Sequence, residues 1–85
     1  MVKYQTGFYL YYQYKGSFTH PLTIISKIVE VKKDCLIVED IVFSHRTILS
    51  DFTGFPTSVE VKYILNPILY GTLQEIKHTY PELFI

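Results

Sequence analysis

The chain has one cysteine, no tryptophan and no excess of either charge, its eight basic residues balancing eight acidic ones over 85 positions. A single thiol, Cys35, excludes an internal disulfide and a thiolate zinc cage, and fits a reducing compartment. Zero net charge leaves no long-range field to draw the protein onto nucleic acid or an anionic membrane, so either kind of binding would have to be local. Its longest apolar runs are four or five residues, against the roughly 20 that span a bilayer. The stretch after Met1-Val2-Lys3 is too short and too rich in tyrosine to be the core of a secretion signal. The expectation is a cytoplasmic protein that starts at its own initiator methionine and does not engage a membrane.

Glycine is also scarce. Gly7, Gly16, Gly54 and Gly71 are too scattered to cradle a phosphate, and no dinucleotide fingerprint, nucleophile elbow or metalloprotease motif occurs. His20, His45 and His78 have no second histidine or carboxylate at ligand spacing, and read as surface or loop imidazoles. Ser44-His45-Arg46 offers a hydroxyl, an imidazole and a guanidinium, but neighbours on extended backbone point in opposite directions, so a turn explains them better. Cys35, in "DCLIV", reads as a small apolar side chain packed in a sheet. No catalytic residue, metal ligand or cofactor is nominated, and the expectation is a protein that is not an enzyme.

What the chain has in abundance is bulk: apolar residues make up 48% of it, with eight tyrosines and six phenylalanines. A single domain of this size buries only about 60–65% of its unfolded surface, so large side chains must fill its core. "FYLYYQY", about 8–14, reads as a strand with Phe8, Leu10, Tyr12 and Tyr14 on the inner face and Tyr9, Tyr11 and Gln13 on the outer.

"LTIISKIVEVKKDCLIVEDIVF" reads as a hairpin of strands at about 22–32 and 35–43. With Lys33-Asp34 at the tip, Val31 faces Leu36, Val29 faces Val38 and Lys27 faces Asp40, and a four-residue loop of the same parity is equally compatible. Ile28, Glu30, Ile37 and Glu39 then share the other, partly covered face. Lys15-Gly16-Ser17, Ser44-His45 and "TGFPTS" read as turns or loops, with a short strand at about 46–50.

The alternation in 59–65 predicts a strand, while Thr57 with Glu60 three residues on could instead be a capping box opening a helix. Asn66-Pro67 reads as N-cap and first residue of a helix over about 67–79, with Leu69, Leu73, Ile76 and Tyr80 as its apolar stripe and Gly71 weakening it. Pro81 ends it, leaving an apolar tail at 82–85. The fold class expected is α+β: a small curved antiparallel sheet of about five strands, an SH3-like or OB-like partly closed barrel, with one C-terminal helix. Such architectures host many functions and license none.

With no catalytic constellation, what remains is a surface. Exposed rings on a strand need a cover, and tyrosine gives large contact area at low entropic cost. The leading expectation is a non-enzymatic protein-binding module of adaptor or inhibitor type, with the partner on Tyr9, Tyr11 and Gln13 and a small basic patch of Lys32, Lys33 and Arg46 nearby. Inhibitors carried by phages and mobile elements are often this small. Two alternatives stand beside it: a barrel binding single-stranded nucleic acid, with rings for bases and lysines for phosphates, and a protein sequestering a small nucleotide-like ligand. Leu83, Phe84 and Ile85 are candidates for self-association into a homo-oligomer if they do not fold back.

Overall fold

The computed structural model describes residues 3–14, 22–43, 46–47 and 56–84, with the side chains of 42, 43, 46, 47 and 84 excepted. Among these residues, six strands form one antiparallel sheet: β1 (Tyr9–Tyr14), β2 (Leu22–Val31), β3 (Cys35–Phe43), the two-residue β4 (Arg46–Thr47), β5 (Thr57–Glu60) and β6 (Ile64–Tyr70). The order is β4-β3-β2-β1-β6, with β5 pairing the same edge of β3 nearer its start. One helix, α1 (Leu73–Thr79), and a C-terminal 3-10 turn (Pro81–Phe84) follow. The α+β class, the curved sheet and the single C-terminal helix are as expected. β3, β2 and β1 lie side by side, and the sheet is left open rather than closed into a barrel.

Three residues make the sheet curl. β5 lies at one edge and β6 at the other, yet only a 3-10 turn, Val61–Tyr63, joins them. Five strands laid flat would hold those edges about 19 Å apart at 4.8 Å per strand, while three residues of 3-10 helix advance only about 6 Å. The sheet therefore rolls, and its concave inner face encloses the core without the two edges pairing. Into that space β1 sends Leu10 and Tyr12, β2 Ile24 and Ile28, β3 Leu36 and Val38, β5 Val59 and β6 Ile64. The inward parity expected of Leu10 and Tyr12 is what the structure has; both are fully buried.

The hairpin departs from uniform alternation. Val31 faces Leu36 as expected, but a bulge at Val29 then shifts the register, so Ile28 rather than Val29 faces Val38 and Lys27 faces Glu39 rather than Asp40. Strict alternation back from Val31 would have carried Lys27 into the core. The extra residue reverses the parity, so that Ile28 is buried, Val29 is displaced to the surface and Lys27 stays in solvent. A second shift, with Ile41 as the extra residue on β3, restores the register beyond Asp40.

Three further expectations are corrected. The segment read as one strand over 59–65 is divided between β5, the 3-10 turn and β6, and Thr57 lies in β5 rather than capping a helix. Asn66-Pro67 does not open the helix: it is a bulge in β6, where the register against β1 shifts between Tyr11 and Gln13 and Asn66 has φ 52°. Asn is among the few residues that accept that conformation, and proline, without an N–H, is tolerated at a bulge on an edge strand. The helix begins six residues later. Thr72 is its N-cap, its hydroxyl accepting the Glu75 backbone N–H at 3.2 Å. Gly71 therefore precedes the helix, and Leu69 belongs to β6 and packs inward. Leu73, Ile76 and Tyr80 keep the expected spacing, with Ile76 fully buried. Cys35, expected in the core, is only half-buried where β3 begins.

Gly7 turns the N-terminal segment back onto the rolled sheet. Its φ of 89° is open to glycine, and its N–H donates to the Ile28 carbonyl at 2.8 Å. A methyl group there would meet no other atom within 4 Å, so Gly7→Ala tests backbone strain alone. It should lower unfolding free energy by about 1 kcal/mol in urea denaturation, with the slope unchanged.

Candidate functional site

The outer face of β1, the leading sequence candidate, is largely occupied by the protein itself. α1 and the C-terminal turn cross it, burying Ile76 and Leu83 against Ile25, with Tyr9, Tyr11, Ile41, Tyr70 and Tyr80 packed around them. The ring of Tyr11 stacks on Tyr80 with centroids 4.4 Å apart and planes within 8°. Tyr70 meets Tyr80 edge-on, and their hydroxyls are hydrogen bonded at 2.9 Å. That bond first, then burial, pushes the Tyr80 hydroxyl up to about 12. Tyr9 and Tyr11 are thus half-buried rather than standing clear of the sheet. Gln13 is engaged across the β6 bulge, its side-chain oxygen accepting from the Asn66 amide at 3.0 Å.

The tail is folded back as well. Leu83, within the C-terminal 3-10 turn, is buried with Ile25 and Ile76, while the Phe84 side chain and Ile85 lie outside the described residues. Arg46 pairs through its backbone with Phe43; its side chain also lies outside the description, as do His20, His45 and the turns expected at 15–17, 44–45 and 53–58 up to residue 55. His78 is exposed on α1.

Inside the rolled sheet lies a polar relay that no motif in the sequence announces. Ser26 is fully buried and donates to Asp40 Oδ1 at 2.6 Å. Its single hydrogen being spent there, it accepts from the Tyr12 hydroxyl at 3.2 Å. Burial raises the Asp40 carboxyl above its ordinary value, a shift partly offset by the serine hydrogen bond. Burial likewise drives the Tyr12 phenol up. A sealed serine cannot meet a substrate, so the relay satisfies buried polar groups and aligns β1, β2 and β3. Its only trace in the sequence is a serine inside the apolar run "TIISKIV".

The open end of the rolled sheet is different. A cleft of about 750 Å³ is bounded by Lys3 and Tyr4 of the N-terminal segment, Val31, Lys32, Lys33 and Leu36 at the β2–β3 tip, Val61 of the 3-10 turn, and Ile64 and Pro67 of β6. Its floor continues the inner core, since Leu36 and Ile64 belong to that core and Tyr4 and Val61 pack on it. Val31, at the mouth, is 40% exposed. Lys3, Lys32 and Lys33 have no ion-pair partner among the described residues, whereas Lys62 close by is held by Glu60 at 3.2 Å and lies 5.1 Å from the centre of the Tyr63 ring. Of the nominated basic residues, Lys32 and Lys33 fall here, away from Tyr9 and Tyr11. Lys3 and Tyr4 were missed, because only the Gly7 turn and tertiary packing bring them to this end. Their one signal was a turn-forming glycine just before the first strand.

No family model, curated protein or solved structure matches this chain. Among the described residues no helix is long and apolar enough to cross a membrane, and no three His, Cys, Asp or Glu side chains converge as metal ligands would.

Two measurements probe this arrangement. Ile76→Ala should cost roughly 2–4 kcal/mol and speed hydrogen exchange in α1 and the C-terminal turn, because Ile76 is the helix's one fully buried anchor. For Asp40, a carboxyl whose folded value is raised binds its proton more tightly when native, so its ionisation weakens the fold as pH rises from 3.8 through the folded value. Asp40→Asn, which keeps an acceptor for Ser26, should therefore be more stable than the parent at neutral pH. That advantage should shrink as acid protonates Asp40, and a difference constant with pH would refute the assignment.

Proposed function

We propose that this protein is a non-enzymatic, protein-binding module of adaptor or inhibitor type, acting in the cytoplasm, and that it holds its partner at the open end of the rolled sheet. The single observation carrying this reading is the cleft: a preformed apolar floor continuous with the core, edged by three lysines without ion-pair partners among the described residues. An apolar floor supplies affinity by desolvation and a charged rim supplies orientation, the usual division of labour in protein interfaces. The tyrosine face is the weaker candidate, because the chain's own helix and Tyr80 take up much of its area.

Single-stranded nucleic acid and a nucleotide-like ligand are the rival occupants. Base-stacking channels present several rings in succession, and this cleft has one, Tyr4. Small-ligand pockets enclose most of their ligand, and this one is open to solvent.

The reading is tested by affinity co-purification of the full chain, with native mass spectrometry of what is retained. A partner protein retained by the parent should be lost with Val31→Glu, a change at an exposed strand end that circular dichroism should find folded. The same partner should be kept by Tyr9→Ser. The reverse pattern would move the contact to the tyrosine face. Raised absorbance at 260 nm, or a bound small mass removed by Val31→Glu, would replace the reading by one of its rivals.

A further inference from the structure

Within that reading, and resting on it, the cleft has a definite chemical preference. We propose that its occupant is an acidic peptide segment: one apolar side chain seats against Val31, Val61 and Ile64, over the buried Leu36, and carboxylates flanking it in the partner's sequence meet Lys3, Lys32 and Lys33.

Charge complementarity supplies the first argument. The rim lysines come from two separate parts of the chain, the N-terminal segment and the hairpin tip, and converge on one opening. None is neutralised by a described carboxylate, although Asp34, Glu60 and Lys62 line an adjoining hollow with Lys33 and Val61. Lys62 is already engaged with Glu60. The positive rim is thus bounded on one side by acidic groups, which repel any anionic chain continuing that way and so limit the occupant's negative charge to a short run.

Floor chemistry supplies the second. Apart from Tyr4 the apolar lining, Val31, Leu36, Val61, Ile64 and Pro67, is aliphatic, suited to a leucine, isoleucine or phenylalanine side chain, while strands of nucleobases need successive aromatic platforms. Lysine heads are mobile point charges, able to follow carboxylates on a flexible segment without the fixed fork that arginine imposes. Because Leu36 and Ile64 are buried core residues, the floor is held rigid before binding, and that lowers the entropy lost on association.

The experiment is selection from a random peptide library displayed on phage, using the immobilised full chain at low and at high salt. Peptides enriched on the parent are then synthesised and measured by fluorescence polarisation. The expected winners carry Asp or Glu on both sides of Leu, Ile or Phe. They should weaken by about tenfold or more on K3E/K32E/K33E, as the loss of several rim charges implies, weaken with salt, and fail on Val31→Glu. Selection on K3E/K32E/K33E should in turn enrich basic peptides, a positive result that an unfolded variant could not produce. Winners that are uncharged, lost on Val31→Glu but indifferent to the lysine reversals, would overturn the acidic assignment and leave the module reading standing. Should no enriched peptide respond to Val31→Glu, both would fall. An oligothymidylate that binds the parent more tightly than any selected peptide, and is lost on K3E/K32E/K33E, would give the cleft to nucleic acid.

Discussion

The shape of this protein depends on the short link Val61–Tyr63 between the two edges of its sheet. A flat sheet cannot satisfy a connection of that length, so curvature is imposed by chain geometry rather than by any single packing contact. Once the sheet is rolled, every principal strand turns at least one large side chain inward, and a domain of 85 residues gains a core it could not build on one face of a flat sheet. The open end follows from the same link. Val61, opening the turn, and Ile64, just after it, meet the hairpin tip there and form part of the cleft's floor.

Rolling the sheet leaves its convex side to be covered, and the C-terminal residues do this economically. A seven-residue helix would be marginal alone, but Ile76, Leu83 and Tyr80 fix it over Ile25 and Tyr11. The stacked Tyr11 and Tyr80 rings protect an aromatic strand face that would otherwise invite association. Polar groups inside are handled by pairing: Tyr12, Ser26 and Asp40 come from three neighbouring strands and satisfy one another, at the expense of an acid that resists ionisation.

Much of the fold was legible in alternation. β1, β2 and β3 lie within two residues of where the pattern puts them, and the inward residues of β1 are those expected. The bulges were not legible, because an extra residue leaves hydrophobic composition untouched and alters only which side chain faces which. Val29 and Ile28 exchanged places for that reason, and Asn66-Pro67, as good a signal for a bulge as for a helix start, marked the former. Of the candidate site, Lys32 and Lys33 could be nominated from the hairpin tip. Their association with Lys3, Tyr4 and Pro67 could not, since those residues are more than 25 positions away along the chain and meet only through the rolled sheet.

Local pattern alone therefore determined the strands of the first half, their inward faces, the presence of a C-terminal helix and the lack of the common catalytic motifs, because each is written in the period or spacing of neighbouring residues. Tertiary structure decided the rest: which face of the tyrosine strand is covered, where the second half of the chain divides into strands, and which lysines share an opening. Those outcomes depend on the length of a link and on parity reversals at bulges, both of which act between residues distant in sequence and neither of which leaves a periodic trace.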